Sequence, residues 1–272
     1  MDLGLQGKVA AVAAASSGLG KAVAMALAAE GMSVAVSSRD EARIRAAAAA
    51  IDEGARRSRS GAHAPPPALP VAADLATVDG PERFVRAAEE RFGRVDVLVA
   101  NCGGPPPGPA AGLGEEEWAR AIPVTLLSAV RLARAALPGM RERRWGRILF
   151  IASTSVKQPI ENLALSTSLR SAVAGYAKSL SDELAAEGIT VNVIAPGSIS
   201  TQRLEDLIAA RARDRGIETA AARSALIEKI PARRLGRPEE LAAAVAFLAS
   251  EGASYISGVV LAVDGGAVRS IT

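Results

Sequence analysis

Residues 146–197 constrain the fold more than any other stretch. They open with an apolar run, Ile148-Leu-Phe-Ile-Ala152, that ends in Ser153-Thr154-Ser155. A loop carrying Pro159 follows, then a helix-period segment that stops at Gly188. A β-branched run from Ile189 to Ile194 then ends in Pro196-Gly197. Strand, crossover helix and parallel strand form the unit from which doubly wound α/β sheets are built. Ligands bind such sheets beyond the carboxyl ends of the strands, where Ser153 and Pro196-Gly197 both fall. Ser166 and Arg170 are four residues apart on the helix, so they share a face directed at that edge.

The chain has 272 residues, 49% of them hydrophobic. That is ample for one sizeable core, and the length suits either one large α/β domain or two small ones. Aromatics at 3% imply a core of small aliphatic side chains and closely packed helices. A net charge of +3 is mildly basic. The clusters Arg56-Arg57-Ser58-Arg59, Arg141 to Arg144 and Arg233-Arg234 lack interleaved aromatics, so they read as solvated faces and no nucleic-acid partner is expected. With one cysteine, Cys102, and one histidine, His63, neither a disulfide framework nor a His/Cys metal site is available. No signal-peptide pattern opens the chain, and no uninterrupted apolar run approaches the roughly 18 residues of a membrane span. The expectation is a soluble cytoplasmic protein with no metal and no membrane partner.

In chain order, Lys8 to Ala15 reads as a strand buried on both faces. Ser16-Ser17-Gly18-Leu19-Gly20 then opens a helix that closes at Gly31, and a glycine turn before a helix N-terminus is a phosphate cradle. A strand at Ser33–Ser37 leads to Ser38-Arg39-Asp40 and a helix over 41–53. Residues 54–70 read as a Pro/Arg-rich surface loop with His63 a bystander. Further strands are read at 71–75 and 95–100, separated by a helix over 81–92. Residues 115–143 form a long helical pattern that Pro123 should kink. Residues 202–230 are charged and helical, the place for a substrate lid (198–230). A last helix within 233–250 and a seventh strand within 255–266 complete the chain.

Several motifs together resemble the short-chain dehydrogenase/reductases, over the whole length and most closely the 3-oxoacyl-[acyl-carrier-protein] reductases. Gly18 and Gly20 match the last two glycines of the Gly-x-x-x-Gly-x-Gly turn, with Ala14 at the first. Ala100-Asn101-Cys102-Gly103 resembles Asn-Asn-Ala-Gly, and residues 196–201 match Pro-Gly-x-Ile-x-Thr. Gly175-Tyr-Ala-Lys-Ser-Leu180 fixes the register of the crossover helix. Ser153 then takes the family's serine position. Ser166 stands in place of the Tyr of Tyr-x-x-x-Lys, Arg170 in place of its Lys, and Thr125 in place of the asparagine of the proton relay.

The resemblance implies that residues 1–272 form a single Rossmann-type domain, a doubly wound seven-stranded parallel sheet with helices on both faces, with catalytic positions Ser153, Ser166, Arg170 and Thr125. It implies a dinucleotide held by Ala14, Ser16, Ser17, Gly18, Leu19, Gly20, Arg39, Asp74, Leu75, Asn101, Gly103, Arg170, Pro196, Gly197, Ile199 and Thr201. Arg39 after the second strand suits a 2′-phosphate, which favours NADP, with NAD possible. An alanine forced to positive φ at residue 14 costs on the order of 1 kcal/mol, so either the turn relaxes or binding weakens. The family implies a small-molecule substrate and a homodimer or homotetramer. An aliphatic hydroxyl at residue 166 is a much weaker acid than a phenol, and Lys157, Thr154, Ser155 or Glu161 are alternative groups within reach. Three readings follow: an NAD(P)-dependent oxidoreductase with a rebuilt proton relay, a non-catalytic nucleotide-binding scaffold, and a non-redox enzyme using the same cleft.

Overall fold

The computed structural model describes residues 2–58 and 66–271, so His63 and the middle of the Pro/Arg-rich loop lie outside the described residues. The chain alternates strand and helix: β1 (Val9–Val12), α1 (Gly18–Ala29), β2 (Ser33–Ser38), α2 (Glu41–Ser58), β3 (Leu69–Ala72), α3 (Gly80–Phe92) and β4 (Val97–Ala100). It continues with α4 (Glu115–Ile122), α5 (Ser128–Arg143), β5 (Gly146–Ile151), α6 (Ala164–Leu184) and β6 (Ile189–Pro196). The last elements are α7 (Gln202–Arg215), α8 (Thr219–Glu228), α9 (Pro238–Ala249) and β7 (Val260–Val263). The seven strands lie in the order β3-β2-β1-β4-β5-β6-β7, every pair parallel. The direction of winding reverses between β1 and β4, and that crevice is where a doubly wound sheet binds its ligand.

Both faces of the sheet are covered, as the uninterrupted apolar strands require. Side chains alternate: Ile148 and Phe150 of β5 join Phe84, Leu132 and Met140 on one face. Leu149 and Ile151 join Leu27, Ile44, Ile51 and Val245 on the other. Phe84 and Phe150 are fully buried, each stabilising the fold by about 1.5–3 kcal/mol. Where α1 packs beside α9, buried Ala24, Ala28, Ala242, Ala246 and Ala249 keep the contact to small side chains. The crossover helix α6 ends through Gly188, whose φ of 76° is left-handed and whose missing Cβ avoids the carbonyl oxygen of Arg144.

Some boundaries differ from the sequence reading. Helix α2 runs on through Ser58 and β3 begins at Leu69, so the surface loop is shorter than residues 54–70. Asp74 and Leu75 follow β3 instead of ending it. The 198–230 segment is two helices, broken where Gly216 turns to a φ of 60°. Pro123 does more than kink a helix: residues Pro123–Leu127 form a π-helical turn joining α4 to α5. Proline has no N–H to give the normal ladder, and a π-turn is one way to absorb that loss. Among the described residues Glu115–Arg143 is, by length and composition alone, long and apolar enough to cross a membrane. Its apolar side, including Leu132, Ala133, Ala136 and Met140, is buried against the sheet.

At the amino end of the sheet, Trp145 is held between two cations. Lys8 Nζ lies 4.0 Å and the Arg147 guanidinium carbon 4.3 Å from its ring centre. Its Nε1 donates to Glu251 Oε1 at 2.9 Å. Burial pushes Arg147 below its ordinary pKa, and the Glu251 charge opposes that shift.

Candidate active site

The carboxyl edge of the sheet is assembled from the ends of β1, β4, β5 and β6. After β1, Ala13 N donates to Val99 O at 3.0 Å and Ala15 N to Ser37 O at 2.9 Å, which ties the turn to both neighbouring strands. Between them Ala14 adopts a φ of 49°. The turn has therefore not relaxed, and Ala14 carries the left-handed strain. A Cβ on Gly20 would lie 2.5 Å from Ala14 O and 2.9 Å from Asn101 Nδ2, so only glycine fits there. Asn101 Nδ2 itself donates to Ala14 O at 3.2 Å, joining the end of β4 to this turn.

Ser16, Ser17, Gly18, Leu19 and Gly20 carry the chain from that turn into α1. Ser17 is the extended cap residue of α1, makes no side-chain capping bond, and no acidic residue occupies the first turn. The first N–H groups of a 12-residue helix are thus left to an anion, with the helix dipole favouring negative charge. The residues present fit a dinucleotide pyrophosphate. Gly103 has open space where a side chain would project.

At the end of β2, Ser38 Oγ accepts from Asp40 N at 3.1 Å. Asp40 Oδ1 accepts from Arg43 N at 2.9 Å, which occupies that carboxylate with the start of α2. Arg39, exposed between them, makes no ion pair among the described residues. Beyond β3, Asp74 Oδ1 accepts from Ala76 N at 3.0 Å. Leu75 beside it is buried.

Beyond β5, Ser153 caps a 3-10 turn, Thr154–Val156, with its Oγ accepting from Ser155 N at 3.1 Å. Accepting that bond leaves its own hydroxyl hydrogen to donate. Ser166 and Arg170 are both buried on α6, as their spacing predicts. Arg170 Nη1 donates to Ile151 O at 2.7 Å, pinning the guanidinium to the end of β5. Thr125 sits in the π-turn with Oγ1 buried and without a partner. It shares with Arg170, Asn101, Cys102 and Ser128 a cavity offering about 10 Å³ to water centres, room for one water molecule. Glu161 does not supply a buried neutral acid: its side chain is 67% exposed and pairs with Arg211 and Arg215 of α7 at 3.7 and 3.5 Å. Tyr176 points elsewhere, packing edge-on against Phe150 at 6.1 Å, and burial raises its pKa.

After β6, Gly197 N donates to Val263 O at 3.0 Å. Ile199 is buried and bridges to Gly236. Thr201 caps α7, its Oγ1 accepting from Leu204 N at 3.3 Å. Its methyl carbon lies 3.7 Å from where a Gly18 Cβ would stand, so the N-termini of α1 and α7 meet above the switch point. The sequence reading passed over Arg203. It reaches from the first turn of α7 to Gly104 O and Pro105 O, at 3.2 and 3.3 Å. Its place two residues beyond Thr201 was the available signal.

Comparison with known proteins agrees with this geometry. Residues 13–268 match the family model described as Enoyl-(Acyl carrier protein) reductase. The 3-oxoacyl-[acyl-carrier-protein] reductase FabG of Vibrio cholerae is 34% identical over 269 residues, covering 97% of this chain and 98% of its own. The corresponding MabA of Mycobacterium tuberculosis is 38% identical over 206 residues, 76% of this chain and 79% of that protein. L-sorbose reductase from Gluconobacter frateurii, solved with NADPH and L-sorbose, superposes with a TM-score of 0.91 at 32% identity, covering 100% of both chains. An actinorhodin polyketide ketoreductase solved with NADPH gives a TM-score of 0.90 at 33% identity, over 97% of this chain and 98% of that one. The chain belongs to the short-chain dehydrogenase/reductase family.

Proposed function

We propose that this protein is an NADPH-dependent oxidoreductase that interconverts a carbonyl group and an alcohol on a small molecule. The observation that carries this reading is the uncapped N-terminus of α1 beneath a turn where Gly20 admits no side chain. Family membership and the NADPH-bound relatives give the same direction. NADPH, when bound, supplies the hydride. The turn residues Ala14 and Ser16 to Gly20 hold the pyrophosphate, with Pro196, Gly197, Ile199 and Thr201 closing over it. Asp74, Leu75, Asn101 and Gly103 line the remainder of the dinucleotide cleft. Arg39 binds the 2′-phosphate, since among the described residues its guanidinium has no ion-pair partner and Asp40 is engaged by α2.

Ser153 donates its hydrogen bond to the reacting oxygen, and Arg170 holds ribose hydroxyls as a fixed cation. Arginine does not release a proton at any working pH, and Ser166 is a weak acid. The proton that completes the alcohol therefore comes from water in the cavity shared by Thr125 and Arg170. A positioned acid contributes about 10²–10⁴-fold, so turnover is slow beside a relative with a phenol at this position.

The small-molecule substrate enters under α7 and α8. A homodimer or homotetramer is supported by the unpaired outer edge of β7 and by exposed Phe247, Val259 and Leu261. A cytoplasmic location is supported by the use of a single, unpaired cysteine.

Calorimetric titration of the cofactor-free protein with NADPH and with NADH tests the reading. The expected result is micromolar binding with NADPH preferred, and loss of that preference in Arg39→Ala. No heat from either nucleotide at millimolar concentration overturns it and favours the scaffold reading.

A further inference from the structure

Beyond β5 the site brings together two arginines, Arg170 and Arg203, neither paired with a carboxylate among the described residues. Arg170 is buried at the end of β5 and spends one N–H on Ile151 O. Arg203 crosses the mouth of the cleft to the carbonyl oxygens of Gly104 and Pro105, both neutral acceptors. Neither guanidinium is in an ion pair among the described residues. The acids nearest in sequence are already engaged: Glu205 by Arg223 at 2.5 Å, and Asp206 by Gln202 Nε2 at 3.0 Å. Glu161 is held by Arg211 and Arg215. Gly104 makes room for the arrangement, since a Cβ there would collide with Arg203 Nη2. In the adjoining cavity Thr125 is 1% exposed, and its Oγ1 is a further polar atom without a partner among the described residues.

We propose that the substrate carries an anionic group, a carboxylate or a phosphate, which Arg203 binds at the cleft mouth while Arg170 faces it from the floor. The inference rests on the oxidoreductase reading and names the class of carbonyl compound that it turns over. A guanidinium offers a carboxylate or phosphate two parallel N–H donors, and the two backbone carbonyls hold that fork in place before the ligand arrives. The residue as a whole is exposed, yet the surrounding protein around its head group pushes the Arg203 pKa down. The charge of Arg170 adds to that shift and Cys102 opposes it. A like charge near enough to act on Arg203 is an arrangement that a bound anion relieves.

The test is calorimetry with benzoylformate and acetophenone, two ketones that differ by a carboxylate against a methyl group, on the NADPH complex. Inorganic phosphate and benzoylformate are also titrated into the cofactor-free protein. Benzoylformate is expected to bind on the order of 10- to 100-fold more tightly than acetophenone, the size of one lost charge-assisted contact. Arg203→Gln should abolish that difference while NADPH affinity stays within about twofold. Gly104→Ala, which leaves the arginine in the chain but displaces its head group, should do the same. A tenfold or greater loss of NADPH affinity in Arg203→Gln, with the ketone ratio unchanged, overturns the proposal and gives Arg203 to the cofactor phosphates. Equal binding of the two ketones to the unaltered protein also overturns it. If no nucleotide binds, the oxidoreductase reading fails separately. In that case benzoylformate binding to the cofactor-free protein that is lost in both variants still supports an anion site, and its absence sinks it.

Discussion

At the scale of single residues, the site is defined by what stands where glycine, tyrosine and lysine are expected. Ala14 holds a φ of 49° because its neighbours Ala13 and Ala15 are bonded to β4 and to the end of β2. The surrounding turn over-determines a conformation that an alanine resists. Ala14→Gly is therefore expected to stabilise the protein by about 1 kcal/mol, read as a higher urea midpoint with an unchanged slope. Ser166 and Arg170 are a second such pair. The double variant Ser166→Tyr/Arg170→Lys is expected to raise kcat for ketone reduction by about 10²–10⁴-fold, measured as NADPH oxidation. An unchanged kcat would mean that proton transfer does not limit the reaction. Arg203 belongs to this scale too, and composition hides it among the chain's 32 basic residues.

At the scale of elements, helix N-termini and turns carry much of the candidate site. Thr201 caps α7, and its methyl carbon lies 3.7 Å from where a Gly18 Cβ would stand, so α7 and the turn before α1 meet at one residue. Thr201→Ala is expected to weaken α7 by about 1 kcal/mol, seen as faster proteolysis within 202–230 while the sheet stays protected. The alternation of apolar strand and amphipathic helix made β1, β4, β5 and β6 legible in the sequence, because strands buried on two faces need uninterrupted apolar runs. The Pro/Arg-rich stretch was less legible. Nothing in residues 54–58 ends a helix before its polar last turn, and β3 opens with Leu69-Pro70, a proline tolerated on an edge strand. Pro123 announced a disturbance but not its form. Whether a helix kinks or opens a π-turn depends on what α4 and α5 pack against, which local sequence does not state.

At the scale of the whole molecule, charge pairs fasten the segments around the sheet. Arg234 grips Glu240 through two bonds of 2.7 and 2.6 Å, with Arg237 N adding a third at 2.8 Å. The Arg234 contact first, then the backbone N–H, holds the Glu240 carboxyl at about 2, below its ordinary 4.5. Its folded value is depressed, so its contribution is fully present above pH 4.5 and is lost as pH falls toward about 2. The stability difference between the unaltered protein and Glu240→Gln should be constant at neutral pH and shrink across that window in acid denaturation. A difference that stays constant down to pH 2 would show that the pair does not form in solution.

The arrangement around Trp145 also gives the molecule two optical channels. The chain has two tryptophans. Trp145 is clamped by Lys8, Arg147 and Glu251 at the amino end of the sheet, while Trp118 packs on α4 against Leu165 and Leu169, the neighbours of Ser166 and Arg170. Both tryptophans are expected to report global unfolding, and Trp118, nearer Ser166 and Arg170, is expected to respond more strongly to occupancy of the cleft. Trp118→Phe should reduce the emission change on NADPH titration more than Trp145→Phe does, while either variant keeps an unfolding signal, so one cuvette reports binding and stability without any added label.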